Sequence, residues 1–156
     1  QKSGDVRVVL VRSATNSGFS GGHNQGMAAC PGAEFYLILN SDALLRLDFF
    51  DRLMPFTEDQ PKTGLFAPRL EWEDGTPQNS CFRFASPMSE LLRGARTGPV
   101  TRLLQRHVIA LDIPPDPAEI EWASFACILL RGKMVQELGP MDEGYFLYFE
   151  DSEYAL

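Results

Sequence analysis

Phe35-Tyr36-Leu37-Ile38-Leu39, running into Asn40-Ser41-Asp42-Ala43, is the stretch on which the reading of this chain turns. Five consecutive apolar residues predict a buried strand, and the abrupt change at Asn40 marks its carboxyl end. In an open α/β sheet that end is where ligands bind. An aspartate placed there has two uses. It can hold a divalent cation that binds the oxygens of a diphosphate, or it can cap a following helix. On the residues alone Asp42 fits both.

Outward from this strand, helices and strands alternate. Upstream, the mostly apolar run Val6 to Val11 is rich in β-branched residues and predicts a second buried strand. A polar, glycine-rich stretch from Asn16 to Gly22 follows, then a short helix from His23 to Cys30 that Pro31-Gly32 breaks. Downstream, Phe49, Phe50, Leu53 and Met54 recur on one side of a helical wheel, which predicts an amphipathic helix from Leu45 to Phe56. Leu65 to Leu70 reads as a strand, Trp72 to Thr76 as a turn, and Cys81 to Phe84 as a segment pairing nearby. The pattern weakens into short helical pieces between Ser86 and Pro117. Trp122 to Leu130 is again strand-like, Lys133 to Leu138 is helical, and Gly139-Pro140 stops that helix. The expected fold class is α/β, a sheet largely parallel in its first half, in one domain without linker or repeat.

Composition narrows the function. With 156 residues, 44% hydrophobic and 22% charged, the chain suits one ordinary globular core rather than a disordered segment. A formal net charge of -7 argues against nucleic acid or an anionic lipid surface as a general partner, but not against a metal-bridged nucleotide. No run has the length of a membrane helix, and the first residues are not those of a signal peptide. Cys30, Cys81 and Cys127 are far apart. No spacing gathers them with His23 or His107 around zinc, so buried free thiols in a reducing compartment are expected.

Two further segments carry chemistry. Glu150-Asp151-Ser152-Glu153 follows five residues of which four are aromatic, Tyr145, Phe146, Tyr148 and Phe149. A carboxylate beside such rings is desolvated, which raises its pKa toward the range of a general base. Taken alone, a solvated first helical turn is the preferred reading. Gly18-Phe19-Ser20-Gly21-Gly22 fails the dinucleotide and P-loop patterns but matches G-x-S-x-G, a hydrolase elbow with Ser20 as nucleophile and His107 as its histidine. Ser13-Ala14-Thr15-Asn16-Ser17 lies between the strand and that motif, whereas an elbow turns sharply off its strand.

Together these segments resemble the family 2 inverting glycosyltransferases, in particular their bacterial rhamnosyltransferase-like branch. Asn16 to Gly26 is similar to that branch's N-x-G-F-x-x-G-x-N-x-G segment. Phe35 to Ala43 is similar to its strand and the N-x-D form of its D-x-D motif. Glu121 to Cys127 resembles its acceptor-side strand, and Met141 to Asp151 its F-D-E-x-F-F-x-Y-x-E-D stretch. The order and spacing agree over nearly the whole chain.

The resemblance implies a GT-A-type nucleotide-binding mixed sheet flanked by helices, incomplete in this chain. Residues 1–70 would form the nucleotide-sugar half and 71–156 the acceptor-side half. The implied reaction passes a sugar from a nucleoside-diphosphate donor to an acceptor hydroxyl with inversion, in bacterial cell-surface polysaccharide synthesis. By the same resemblance Asp42 binds Mg²⁺ or Mn²⁺ on the diphosphate, and Asp151 is the base with Glu150 beside it. Asn16, Gly18 and Asn24 shape the nucleoside side of the pocket, and Asn40 lies near the ribose or diphosphate. The implied acceptor is a saccharide or a lipid-linked saccharide. The implied location is the cytoplasm, with peripheral attachment to the inner face of the membrane. Rhamnose from a dTDP donor is the branch's usual chemistry. The branch also opens with a V-x-x-Y-N strand and a base-reading aspartate, and continues with a helix after the E-D motif. Neither end is present here, and Ala43 replaces the usual Thr, so a partial domain is expected. A catalytically inactive nucleotide-sugar-binding remnant of the same fold is the alternative, and a serine hydrolase using Ser20 the remote one.

Overall fold

The computed structural model describes residues 8–89, 109–114, 116–146 and 149–156. Most of the short helical pieces expected between Ser86 and Pro117 fall outside these residues, as do His107 and Tyr148. The architecture is mixed α/β, with small sheets and helices. Its elements are α1 (Gly18–Ala28), β1 (Phe35–Leu39), α2 (Phe49–Asp59), β2 (Leu65–Phe66), β3 (Cys81–Phe82), β4 (Trp122–Ala123), β5 (Cys127–Arg131), α3 (Gly132–Leu138) and α4 (Glu150–Tyr154).

The larger described sheet has the order β1-β5-β2, and both of its pairings are antiparallel. This corrects the expected parallel first half. β1 and β2 do point the same way, but β5 lies between them and runs against both. The reason is visible in β5 itself. Cys127, Ile128, Leu129 and Leu130 are all buried, so the later strand, covered on both faces, takes the centre. Around it packs a core of Ile38, Ala123, Phe125, Ile128, Leu130, Met141 and Tyr154, flanked by Phe19, Met27 and Tyr36.

The strand expected from Trp122 to Leu130 is two strands in two sheets. β4 pairs with β3, and after a turn at Phe125-Ala126 the chain enters the larger sheet as β5. Ser124 N–H donates to the Ser80 carbonyl at 3.0 Å, while the Ala126 carbonyl accepts from Asn40 N–H at 2.9 Å. These bonds pull the two ends of the turn toward different sheets. A second correction concerns Val8 to Val11, where the expected buried strand is absent. These residues are exposed and irregular, because among the described residues no strand lies beside them to supply a ladder.

Helix α1 begins five residues earlier than expected, at Gly18 rather than His23. Glycine is a poor helix former, and tertiary contact overrides that preference here. The Asn16 Oδ1 accepts from Gly18 N–H at 3.0 Å, and Phe19 N–H donates to the Phe146 carbonyl at 3.1 Å. Gly18 has a φ of 73°, and a Cβ on it would stand 2.3 Å from the Phe146 oxygen. Helix α2 also starts later than expected and carries Pro55 within it.

Arg131, the last residue of β5, ties α2 to the sheet. Its Nε donates to the Thr63 carbonyl at 2.9 Å, and one terminal nitrogen donates to the carbonyls of Thr57 at 2.9 Å and Gln60 at 3.1 Å. The guanidinium also lies 5.0 Å from the Phe35 ring centroid and 5.6 Å from that of Phe66. A cation at the carboxyl end of α2 suits the helix dipole as well. Hydrogen bonds to a charged group are worth about 1.5–3 kcal/mol each. Arg131→Met is therefore expected to lower unfolding stability by at least about 2 kcal/mol in urea titration. A loss below about 0.5 kcal/mol, the range of ordinary surface substitutions, contradicts this role.

Candidate functional site

β1 and β5 are antiparallel, so the carboxyl end of β1 adjoins the start of β5 and the turn that precedes it. That turn touches two elements at once. Ala126 is bonded to Asn40 as described, and the Phe125 ring meets the Tyr154 ring of α4 edge-on at 6.4 Å. The Asn40-Ser41-Asp42 segment and the acidic helix α4 therefore flank the same turn, at one end of the sheet.

Asp42 is exposed, in a turn where Ala43 N–H donates to the Asn40 carbonyl at 3.1 Å. No helix starts beside it. The residue at the start of α2 is Asp48, so the capping reading of Asp42 falls away. Among the described residues no three His, Cys, Asp or Glu side chains gather as a metal cage. A single exposed carboxylate is still a suitable hard-oxygen ligand for Mg²⁺ or Mn²⁺, which bind through one or two carboxylates together with substrate phosphates.

Of the three acids in α4, the first two differ. Glu150 is 5% exposed and its Oε2 has no hydrogen-bond partner, whereas Asp151 is half-buried and its Oδ1 accepts from Ser152 N–H at 2.8 Å. Burial raises both carboxyls above the usual range. The Asp151 charge adds to the rise at Glu150, and backbone N–H groups oppose it at both residues. The direction matches that expected for Asp151 from the sequence. The described rings, however, face solvent rather than the core: Tyr145, Phe146 and Phe149 are all exposed. Phe149, immediately before Glu150, holds a left-handed φ of 70°, a strained conformation for a bulky residue.

The glycine-rich segment reaches this region through the loop after α3. Asn24 Nδ2 donates to the Met141 carbonyl at 2.9 Å and to Glu143 Oε1 at 3.0 Å, while Met141 N–H donates to Asn24 Oδ1 at 2.9 Å. Both ends of this amide are engaged within the protein. A Cβ on Gly21 would stand 2.5 Å from the side chain of Ser17, the residue that precedes the helix, and 3.5 Å from Glu143 Cδ. Tyr154, which the sequence reading passed over, donates its hydroxyl to the Gly139 carbonyl at 2.8 Å. Its only sequence signal is its spacing from Glu150, one helical turn further on the same face.

The hydrolase reading does not survive. Ser20 is fully buried inside α1 and is not exposed on an elbow after a strand. The cysteines are unpaired as expected, but only Cys127 is buried; Cys30 is exposed and Cys81 half-buried. A groove lined by Lys62, Gly64, Met134, Leu138 and Leu156 contains none of the residues singled out from the sequence.

Comparison with known proteins supports a glycosyltransferase relationship. Two relatives from two strains of Mycobacterium tuberculosis, each an N-acetylglucosaminyl-diphospho-decaprenol L-rhamnosyltransferase, are 28% identical to the chain over 123 residues. The match covers 76% of this chain and 39% of each relative, so the chain spans about two fifths of their length. No protein-family model matches the chain, and no solved structure does. Among the described residues no helix is long and apolar enough to cross a membrane.

The buried acids set a pH dependence. A carboxyl with a raised folded-state pKa binds its proton more tightly in the folded protein. Its contribution to stability is thus complete below the unfolded values, about 4.3 for Glu and 3.9 for Asp, and is lost as pH rises through the folded values. Glu150→Gln removes a burial cost, since the Glu150 carboxyl is enclosed and one of its oxygens lacks a hydrogen-bond partner. The variant should melt higher than the parent at neutral pH, with a flatter dependence of Tm on pH above about 4. A lower Tm at neutral pH contradicts the assignment.

Proposed function

We propose that this chain forms part of a glycosyltransferase domain that moves a sugar from a nucleoside-diphosphate donor to an acceptor hydroxyl with inversion. The observation that carries the proposal is the turn Ser124–Ala126, which joins Asn40 on one side and α4 on the other. It supports the reading that two acidic segments far apart in the chain serve one reaction.

Asp42 would hold Mg²⁺ or Mn²⁺, which would supply positive charge to offset that of the diphosphate leaving group. Asn40 and Asn16 belong to the donor side, while Gly18 and Asn24 shape that side by seating α1. Asp151 takes the proton from the acceptor hydroxyl as its oxygen bonds to the anomeric carbon and the bond to the diphosphate breaks. A raised pKa strengthens Asp151 as a base, provided it is still ionised at the working pH. Glu150, less accessible, tunes its neighbour through charge. The relatives' names point to a lipid-linked saccharide as acceptor class and rhamnose as donor sugar, and such an acceptor would bring the reaction to a membrane surface.

The test is turnover and donor affinity on the same folded variants of the intact protein. Asp151→Asn should lower turnover by about 10²–10⁴-fold with donor affinity nearly unchanged. Asp42→Asn should abolish the metal-dependent part of donor binding in calorimetry. Near-normal turnover of the first variant removes Asp151 from catalysis. Metal-dependent nucleotide binding without any transfer by the parent protein favours the inactive remnant.

A further inference from the structure

The loop after α3 is held from both sides. Asn24 of α1 grips Met141 by its N–H and its carbonyl, and Tyr154 of α4 holds the Gly139 carbonyl, two residues away. Met141 is 2% exposed and shares the core with Tyr154 and Phe125. Gly139 has a φ of 89°, so the loop leaves α3 through a conformation that side chains resist. Residues 139–141 thus form a short strut, with the glycine-rich helix at one end and the acidic helix at the other. α4 has only five residues, too few to be stable by itself, so its placement depends on such contacts.

We infer that Asn24 and Tyr154 are positioning residues, which through this strut fix the place and hydration of the Asp151 carboxylate relative to the glycine-rich helix. The catalytic half of the inference rests on the glycosyltransferase reading above; the structural half does not. Tyr154 suits the role because burial and the nearby Glu153 charge raise its hydroxyl pKa, keeping it a donor at any physiological pH. Among the described residues, Glu150, Glu153 and Tyr154 are the ionisable groups that share the helix of Asp151, and Asp142 and Glu143 are those on the loop that Asn24 and Tyr154 hold. Trp122 to Ala126, the strand and turn packed against α4, contribute none.

The experiment uses Tyr154→Phe, which deletes one oxygen, and Asn24→Ser, which cannot bond both Met141 groups and Glu143 at once. For each, the Asp151 carboxyl carbon is titrated by NMR and the pH profile of kcat is recorded beside both KM values. Loosening α4 admits water to Asp151, so its pKa should fall toward the ordinary range, and the acid limb of kcat should move to lower pH with it. For Tyr154→Phe kcat should fall by about 10–100-fold with donor KM little changed, since small misplacements of a reacting group cost that much. Asn24→Ser, which also unseats the donor-side helix, should show the same fall in kcat together with a higher donor KM. Acting through one strut, the two substitutions together should cost no more than the worse one alone. An unchanged Asp151 titration in both folded variants, with only a lower Tm, overturns the inference. A moved Asp151 pKa in a protein whose parent transfers no sugar upholds the strut while the glycosyltransferase reading fails.

Discussion

The side-chain amide of Asn24 meets the backbone of Met141 across 117 positions of sequence, and much of the arrangement rests on that contact. An amide that donates to a carbonyl and accepts from an N–H of the same residue imitates a backbone pairing, and it fixes direction as well as distance. It gives a glycine-rich segment a reason to be helical. Gly18 lacks the Cβ that would collide with the Phe146 backbone, so the start of α1 can approach it where a bulkier residue would be held off, and Gly21 leaves room for the Ser17 side chain at the helix's own N-terminus. Low intrinsic helix propensity is exchanged for close approach.

From this contact the rest of the described site follows. Met141 enters the core beside Ile128 and Leu130 of the central strand, and Tyr154 and Phe125 close over the same core. The central strand is antiparallel to β1, which brings its leading turn beside Asn40. Arg131 anchors the opposite end of that strand to the end of α2 and the turn after it through three carbonyls. One end of the sheet is thereby locked by a half-buried cation, and the other is left with turns, exposed rings and carboxylates. Rigid support at one end and polar groups at the other is the division expected of an α/β binding site.

Much of the framework was legible in the residues. Phe35–Leu39 forms a strand with the expected bounds, because five successive apolar residues stopped by Asn-Ser-Asp admit few other conformations. Helix α3 differs from expectation by one residue, and Gly139 ends it as expected. What escaped depends on neighbours that are distant in sequence. Val8 to Val11 has a strand's composition but no described strand to pair with. The direction of the sheet hinges on β5 entering between β1 and β2, which no local pattern encodes. For the site, the acidic segments stood out by their place after apolar runs, and the glycine motif by its resemblance. Tyr154 did not, because a hydroxyl bonded to a carbonyl fifteen residues earlier leaves no periodic trace.

The central claim is that Asp42 and Asp151 serve one ligand at one end of the sheet. Crystals of the intact protein grown with a nucleoside diphosphate and Mn²⁺ test it directly, by the anomalous signal of the metal. The account predicts a metal peak coordinated by an Asp42 oxygen and the diphosphate, with the nucleotide's leaving oxygen turned toward α4 and Asp151. A metal bound away from Asp42, or a nucleotide seated in the groove beside Met134 and Leu138, would contradict it.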